Sequence, residues 1–126
     1  MVNTFTPRNP LDAAVSDTGI DRNAAAAEAH ANLEHLRADS MAELDRTLAL
    51  MAEIAPSITD IDDAQVAELY AAANRVVAIA GVFALHDMSG HAYELCEAIS
   101  RMQDAGGWKP AVVQGFLDSL QDARAD

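Results

Sequence analysis

Apolar residues recur at helical spacing along most of this chain, in stretches separated by short polar breaks. An α-helix repeats every 3.6 residues, so side chains three and four apart share a face. The first stretch begins near Asp21, a residue suited to capping, and continues through Ala24–Ala27 with Leu33 and Leu36 on one face. Ala38-Asp39-Ser40 interrupts the stripe. Ser40 and Glu43 are spaced as a capping box, and Met41, Leu44, Leu48, Met51 and Ile54 then run up to Pro56, which ends the unit. The pattern predicts either two helices here or one long bent helix. A further helix is predicted from a Thr59-x-x-Asp62 start to about Ala84. Its core stripe is Val66, Leu69, Tyr70, Ala73, Val76, Val77, Ala80 and Phe83. Leu85-His86-Asp87 reads as a short connection, with Asp87 or Ser89 capping a helix that carries Ala92, Leu95, Cys96, Ile99 and Met102. Gly106-Gly107 stops it. Pro110 then opens the last helix in the favoured first position, with Val112, Val113, Phe116, Leu117 and Leu120 as its stripe. Phe83 and Phe116 are expected in the core.

Four amphipathic helices joined by short connections predict an all-α fold, an antiparallel up-down four-helix bundle. The residues before it would supply an additional N-terminal helix or helix extension. Residues 1–19 have no helical period and contain Pro7 and Pro10, so they read as a mobile tail, with residues 20–126 as the bundle domain.

Composition agrees with this and narrows the function. A chain of 126 residues with 51% apolar but only 5% aromatic residues can bury one alanine-rich core. Twenty acidic residues against eight basic ones leave a net charge of −12, which repels nucleic acid and anionic membranes and leaves protein partners. The single cysteine, Cys96, excludes an internal disulfide and a cysteine metal site; its apolar helical setting points to a buried structural thiol. His30/His35 and His86/His91 are each five apart rather than the four that pairs ligands on one helix face, so no metal is expected. No cofactor motif is present. No run is long enough for a membrane span and the N-terminus lacks a secretory apolar core, so the expected location is cytoplasmic.

The face opposite the second core stripe is unusual. Ala67, Ala71, Asn74, Arg75, Ala78 and Gly81 share it, and all but Asn74 and Arg75 are small and apolar. A solvated face in so acidic a chain would carry Glu, Lys and Gln. Two readings follow: the face packs against the chain's own N-terminal helix, or it docks a partner helix.

The run Ala73-Asn74-Arg75-Val76-Val77-Ala78-Ile79-Ala80-Gly81-Val82-Phe83-Ala84-Leu85 resembles the phosphoacceptor helix of histidine phosphotransfer (Hpt) domains, whose pattern is A-H-x-L-K/R-G-x-A-G-x-F-G-L. Met88, Ala92 and Leu95 are similar to the helix that follows it, and Trp108–Leu120 to the closing helix, so the likeness covers roughly residues 40–122. The resemblance implies a four-helix bundle that binds receiver domains or histidine kinases of bacterial two-component or chemotaxis-type signalling. This chain departs from the pattern where the chemistry lies. Asn74 stands for the histidine, Val77 for the base and Ala78 for the glycine. An amide nitrogen is no nucleophile, because its lone pair is delocalised into the carbonyl. The implied function is a non-catalytic pseudo-phosphotransfer module binding through the face around Asn74.

Three alternatives stand beside it. Asn74 would hold an attacking water as a receiver aspartyl-phosphate phosphatase, although its one-turn neighbours Tyr70, Ala71, Val77 and Ala78 include no acid. The small-residue face would form a homodimer of a self-associating bundle. His86-Asp-Met-Ser-Gly90 mimics His-x-x-Lys-Gly, but about sixteen residues from Gly90 to Gly106 leave no room for the helices that would follow, and His86 is expected in a turn.

Overall fold

The computed structural model describes residues 19–125, with side chains from Arg22 onward. The expected tail lies outside the described residues except for Gly19. The fold is all-helical: α1 spans Gly19–Ile54, α2 Ala64–Val82, α3 His86–Ala105 and α4 Pro110–Ala125, with a 3-10 turn at Ala55–Ser57. Two compact units divide between Ala38 and Asp39, where the apolar stripe breaks.

In the first unit every described side chain, from Arg22 to Ala38, is exposed, Leu33 and Leu36 included. The helix is already formed at Gly19, so Asp21 lies inside it rather than capping it. Ser40 likewise sits within α1, and the expected capping box is not a helix start. The apolar spacing on either side of Ser40 is compatible with one helix, and nothing at Ala38-Asp39-Ser40 removes a backbone donor as proline would.

The second unit holds the core. Leu44, Leu48, Met51 and Ile54 of α1 meet Val66, Leu69, Ala72, Ala73, Val76 and Ala80 of α2 in one buried cluster. Met88, Ala92, Leu95, Cys96, Ala98, Ile99 and Met102 of α3 join it, with Val113, Leu117 and Leu120 of α4. Helix α3 packs against both α2 and α4. Arg124, in the last turn of α4, grips Asp45 of α1 through two nitrogens, Nε to Oδ1 2.7 Å and Nη2 to Oδ2 3.2 Å, so the last helix returns to the first. Both partners are partly exposed, and such a pair contributes about 1 kcal/mol at most. The buried polar side chain Thr47 is satisfied inside its own helix, donating to the Glu43 carbonyl at 2.8 Å.

The ends show why these segments stop where they do. Pro56 lies in the 3-10 turn after α1, whose last carbonyls find new donors: Ser57 Oγ donates to the Ile54 carbonyl at 2.8 Å. The cap of α2 is Asp63, not Thr59; its carboxylate accepts from the Gln65 amide at 2.9 Å. At the other end Phe83 is the cap and Ala84 turns left-handed at φ 57. The Leu85 amide reaches back to the Ala80 carbonyl at 2.8 Å and the Ala84 amide to Gly81 at 3.4 Å, the paired bonds of a Schellman closure. Helix α3 therefore begins at His86, so His86 and Asp87 lie in its first turn, and neither Asp87 nor Ser89 is its cap. Gly106 at φ 76 ends α3, and the Gly106 and Gly107 amides both donate to the Met102 carbonyl. Pro110 opens α4 as expected.

Two expectations about aromatic packing are corrected. Phe116 is half-buried against the edge of the core, and Phe83 is half-buried outside the central cluster because it caps α2 at the bundle end. Val112 is exposed, since the buried side of α4 follows Val113, Leu117 and Leu120.

Candidate functional site

Helix α2 divides cleanly between two faces. Its inner positions, among them Val66, Leu69, Ala72, Ala73, Val76 and Ala80, are buried. Ala67, Ala71, Asn74, Arg75, Ala78 and Gly81 are all exposed, so the face they share is open rather than packed. Val82 extends it: the spacing Ala71, Arg75, Ala78, Val82 keeps to one side of the helix, and Val82 is 76% exposed. Val82 was not placed on this face from sequence, although its spacing from Ala78 carried the signal.

Asn74 is anchored from beneath. The Cys96 thiol of α3 donates to Asn74 Oδ1, with Sγ and Oδ1 3.6 Å apart. This contact engages one of the two lone pairs of the amide oxygen. Burial, followed by the neighbouring Glu97 carboxylate, pushes the Cys96 thiol pKa up. Cys96 therefore stays protonated and is a donor, not a nucleophile. Periodicity placed Cys96 in the core, but only the packing of α3 on α2 reveals its contact across 22 positions of sequence.

Beside the face, α1 supplies charge that sequence spacing did not reveal. Arg46 Nη2 donates to Glu43 Oε1 at 2.8 Å. That bond holds the Glu43 carboxyl below the usual carboxylate range, with Arg75 of α2 adding attraction. The Thr47 hydroxyl sits 3.5 Å from the second Glu43 oxygen. Glu43 thus feels cations of two helices, and the face carries charge at Arg75 but none at Ala67, Ala71, Asn74, Ala78 and Gly81.

The other histidines do not assemble into a site. His30, His35 and His86 are exposed and His91 is half-buried. His30 approaches Glu34, and His91 approaches Glu94, each at 4.0 Å along its own helix. Among the described residues no group of three or more His, Cys, Asp and Glu side chains is placed to hold a metal. No helix among them is long and apolar enough to cross a membrane.

The arrangement offers a surface with one amide and one guanidinium, and no nucleophile on it. Comparisons with protein-family models, curated proteins and solved structures return no match.

Proposed function

We propose that this chain is a non-catalytic pseudo-phosphotransfer module of two-component or chemotaxis-type signalling, docking a receiver domain or a histidine kinase through the α2 face around Asn74. The observation that carries the reading is the open strip Ala67, Ala71, Asn74, Ala78 and Gly81, uncharged and exposed in a chain of net charge −12. Short side chains let a partner helix approach the α2 backbone closely. The exposed Asn74 carries amide donors that suit the kind of chemistry a carboxylate-lined receiver pocket presents.

A second feature supports the Hpt resemblance. In that pattern the residue between Phe and Leu is glycine; here it is Ala84, at φ 57, a backbone conformation that glycine adopts without strain. The resemblance thus extends to a position whose residue type has a conformational reason.

The phosphatase reading has less behind it. The Asn74 amide oxygen accepts from the Cys96 thiol and keeps a second lone pair, so what weighs against this reading is the missing acid. The exposed or half-buried residues one turn away, Tyr70, Ala71, Val77 and Ala78, supply no acid.

The test is titration of the full chain against receiver and kinase domains encoded beside it, followed by calorimetry or gel filtration. A stoichiometric complex with one of them, weakened at least about tenfold by Ala78→Glu, is expected; a carboxylate in the centre of a docked apolar face is left unpaired and desolvated. Binding unaffected by Ala78→Glu, or no binding to either class, rejects the proposal.

A further inference from the structure

The helical segment 22–38 carries a pattern that differs from that of the bundle. Every one of its side chains is exposed. Ala26, Ala29, Leu33 and Leu36 follow spacings of three, four and three, the a and d positions of a coiled-coil seam, and Ser40 continues the register. Leu33 and Leu36 are 63% and 55% exposed, leaving the seam uncovered. Its charge is equally distinctive. Arg22 and Arg37 balance Glu28 and Glu34, so residues 22–38 are neutral, whereas residues 39–126 hold fifteen acidic and five basic residues. Self-association through any broad surface of residues 39–126 works against that excess; through 22–38 it does not.

We propose that segment 22–38 pairs with the same segment of a second copy, antiparallel, with Leu33 and Leu36 of one copy seated against Ala29 and Ala26 of the other. Large residues then face small ones at every layer, which lets the two backbones approach and fills the seam without overpacking. Charge selects the orientation. The larger acidic excess, −10 over residues 39–126 against −2 over residues 1–21, attaches at the C-terminal end of the segment, so a parallel pair would start both large acidic stretches side by side. An antiparallel pair starts them at opposite ends, about 25 Å apart for seventeen residues rising 1.5 Å each, roughly three Debye lengths at physiological salt. Opposed helix dipoles favour the same orientation.

Sedimentation of the full chain across micromolar to hundred-micromolar concentration tests this. A concentration-dependent dimer is expected, weakened at least about tenfold in Leu33→Glu/Leu36→Glu. Glutamate is a good helix former and both positions are exposed, so the helical circular dichroism should be unchanged. A wild-type chain that stays monomeric overturns the proposal. So does a double variant that dimerises as well as wild type, or a dimer abolished instead by Ala78→Glu, which would place the contact on α2. Orientation is read by oxidation of single-cysteine additions. Asn32→Cys, close to the two-fold axis of the pair, should cross-link to its copy, while Asp39→Cys, held about 24 Å away along the axis by sixteen residues of rise, should not. Equal cross-linking of both variants, or of neither, contradicts the antiparallel arrangement.

Discussion

The same substitution two residues apart on α2 should give opposite results. Ala78 is exposed and Ala80 is fully buried, so Ala78→Glu and Ala80→Glu place one carboxylate in water and one in the core. At Ala78 the cost is the propensity difference between two good helix formers, a few tenths of a kcal/mol, within the usual surface range of about ±0.5 kcal/mol. At Ala80 two penalties combine. The extra atoms overpack a site closed by neighbouring helices, at about 1–3 kcal/mol. The carboxylate, with no counter-charge in the apolar cluster, adds about 3–5 kcal/mol, or is protonated at a similar cost. That total is comparable with the whole stability of a small domain, roughly 5–15 kcal/mol. Urea unfolding followed by far-ultraviolet circular dichroism reads both. Ala78→Glu should keep its midpoint, while Ala80→Glu should be unfolded or marginal in buffer. The reasoning fails if Ala78→Glu loses more than about 1.5 kcal/mol, three times the surface range, or if Ala80→Glu stays within that limit.

Other outcomes follow from the helix ends and the thiol, each by the corresponding measurement. Gly106→Ala should lose about 1–2 kcal/mol in urea unfolding through left-handed strain alone, because a Cβ there meets no atom within 4 Å. Ala84→Gly should go the other way, gaining up to about 1 kcal/mol by relieving the strain at φ 57 against glycine's greater entropy cost. Asp63→Ala removes the α2 cap and should cost about 0.5–2 kcal/mol by the same assay. Since burial raises the Cys96 pKa in the fold, its contribution to stability is intact below the ordinary thiol range and is lost as pH rises through and above it. Unfolding midpoints from neutral to alkaline pH should fall more in the wild type than in Cys96→Ala, and Ellman's reagent should react with native Cys96 far more slowly than with the unfolded chain.

Periodicity made the helices legible because burial of one face dominates where these segments settle. Leu44, Leu48 and Met51, like Leu95, Ile99 and Leu120, are buried where their spacing put them. The outer face of α2 was legible for the same reason, since a bare face is the complement of a core stripe. Ends were less so. Asp21, Ser40, Thr59 and Asp87 each have capping chemistry, but capping contributes about 1 kcal/mol and yields to helix continuation or to a better-placed neighbour such as Asp63. Ala84 could not be read as left-handed, because alanine in that conformation is held by the Schellman bonds and by half-buried Leu85. The Cys96–Asn74 contact and the placement of Glu43 near Arg75 depend on how α1, α2 and α3 pack, which one-dimensional spacing does not carry.

The central claim is that the α2 face makes contact and transfers no phosphoryl group. It is tested most directly by incubating the full chain with a radiolabelled phospho-receiver that it binds, then separating the proteins under denaturing, neutral conditions. The account predicts that label stays on the receiver or leaves as inorganic phosphate at the receiver's own rate, with none on this chain, and that Asn74→His alone does not change this because Val77 and Ala78 still stand where the base and glycine would be. Stable label on the wild-type chain, or receiver dephosphorylation accelerated by catalytic amounts of it, would contradict the account.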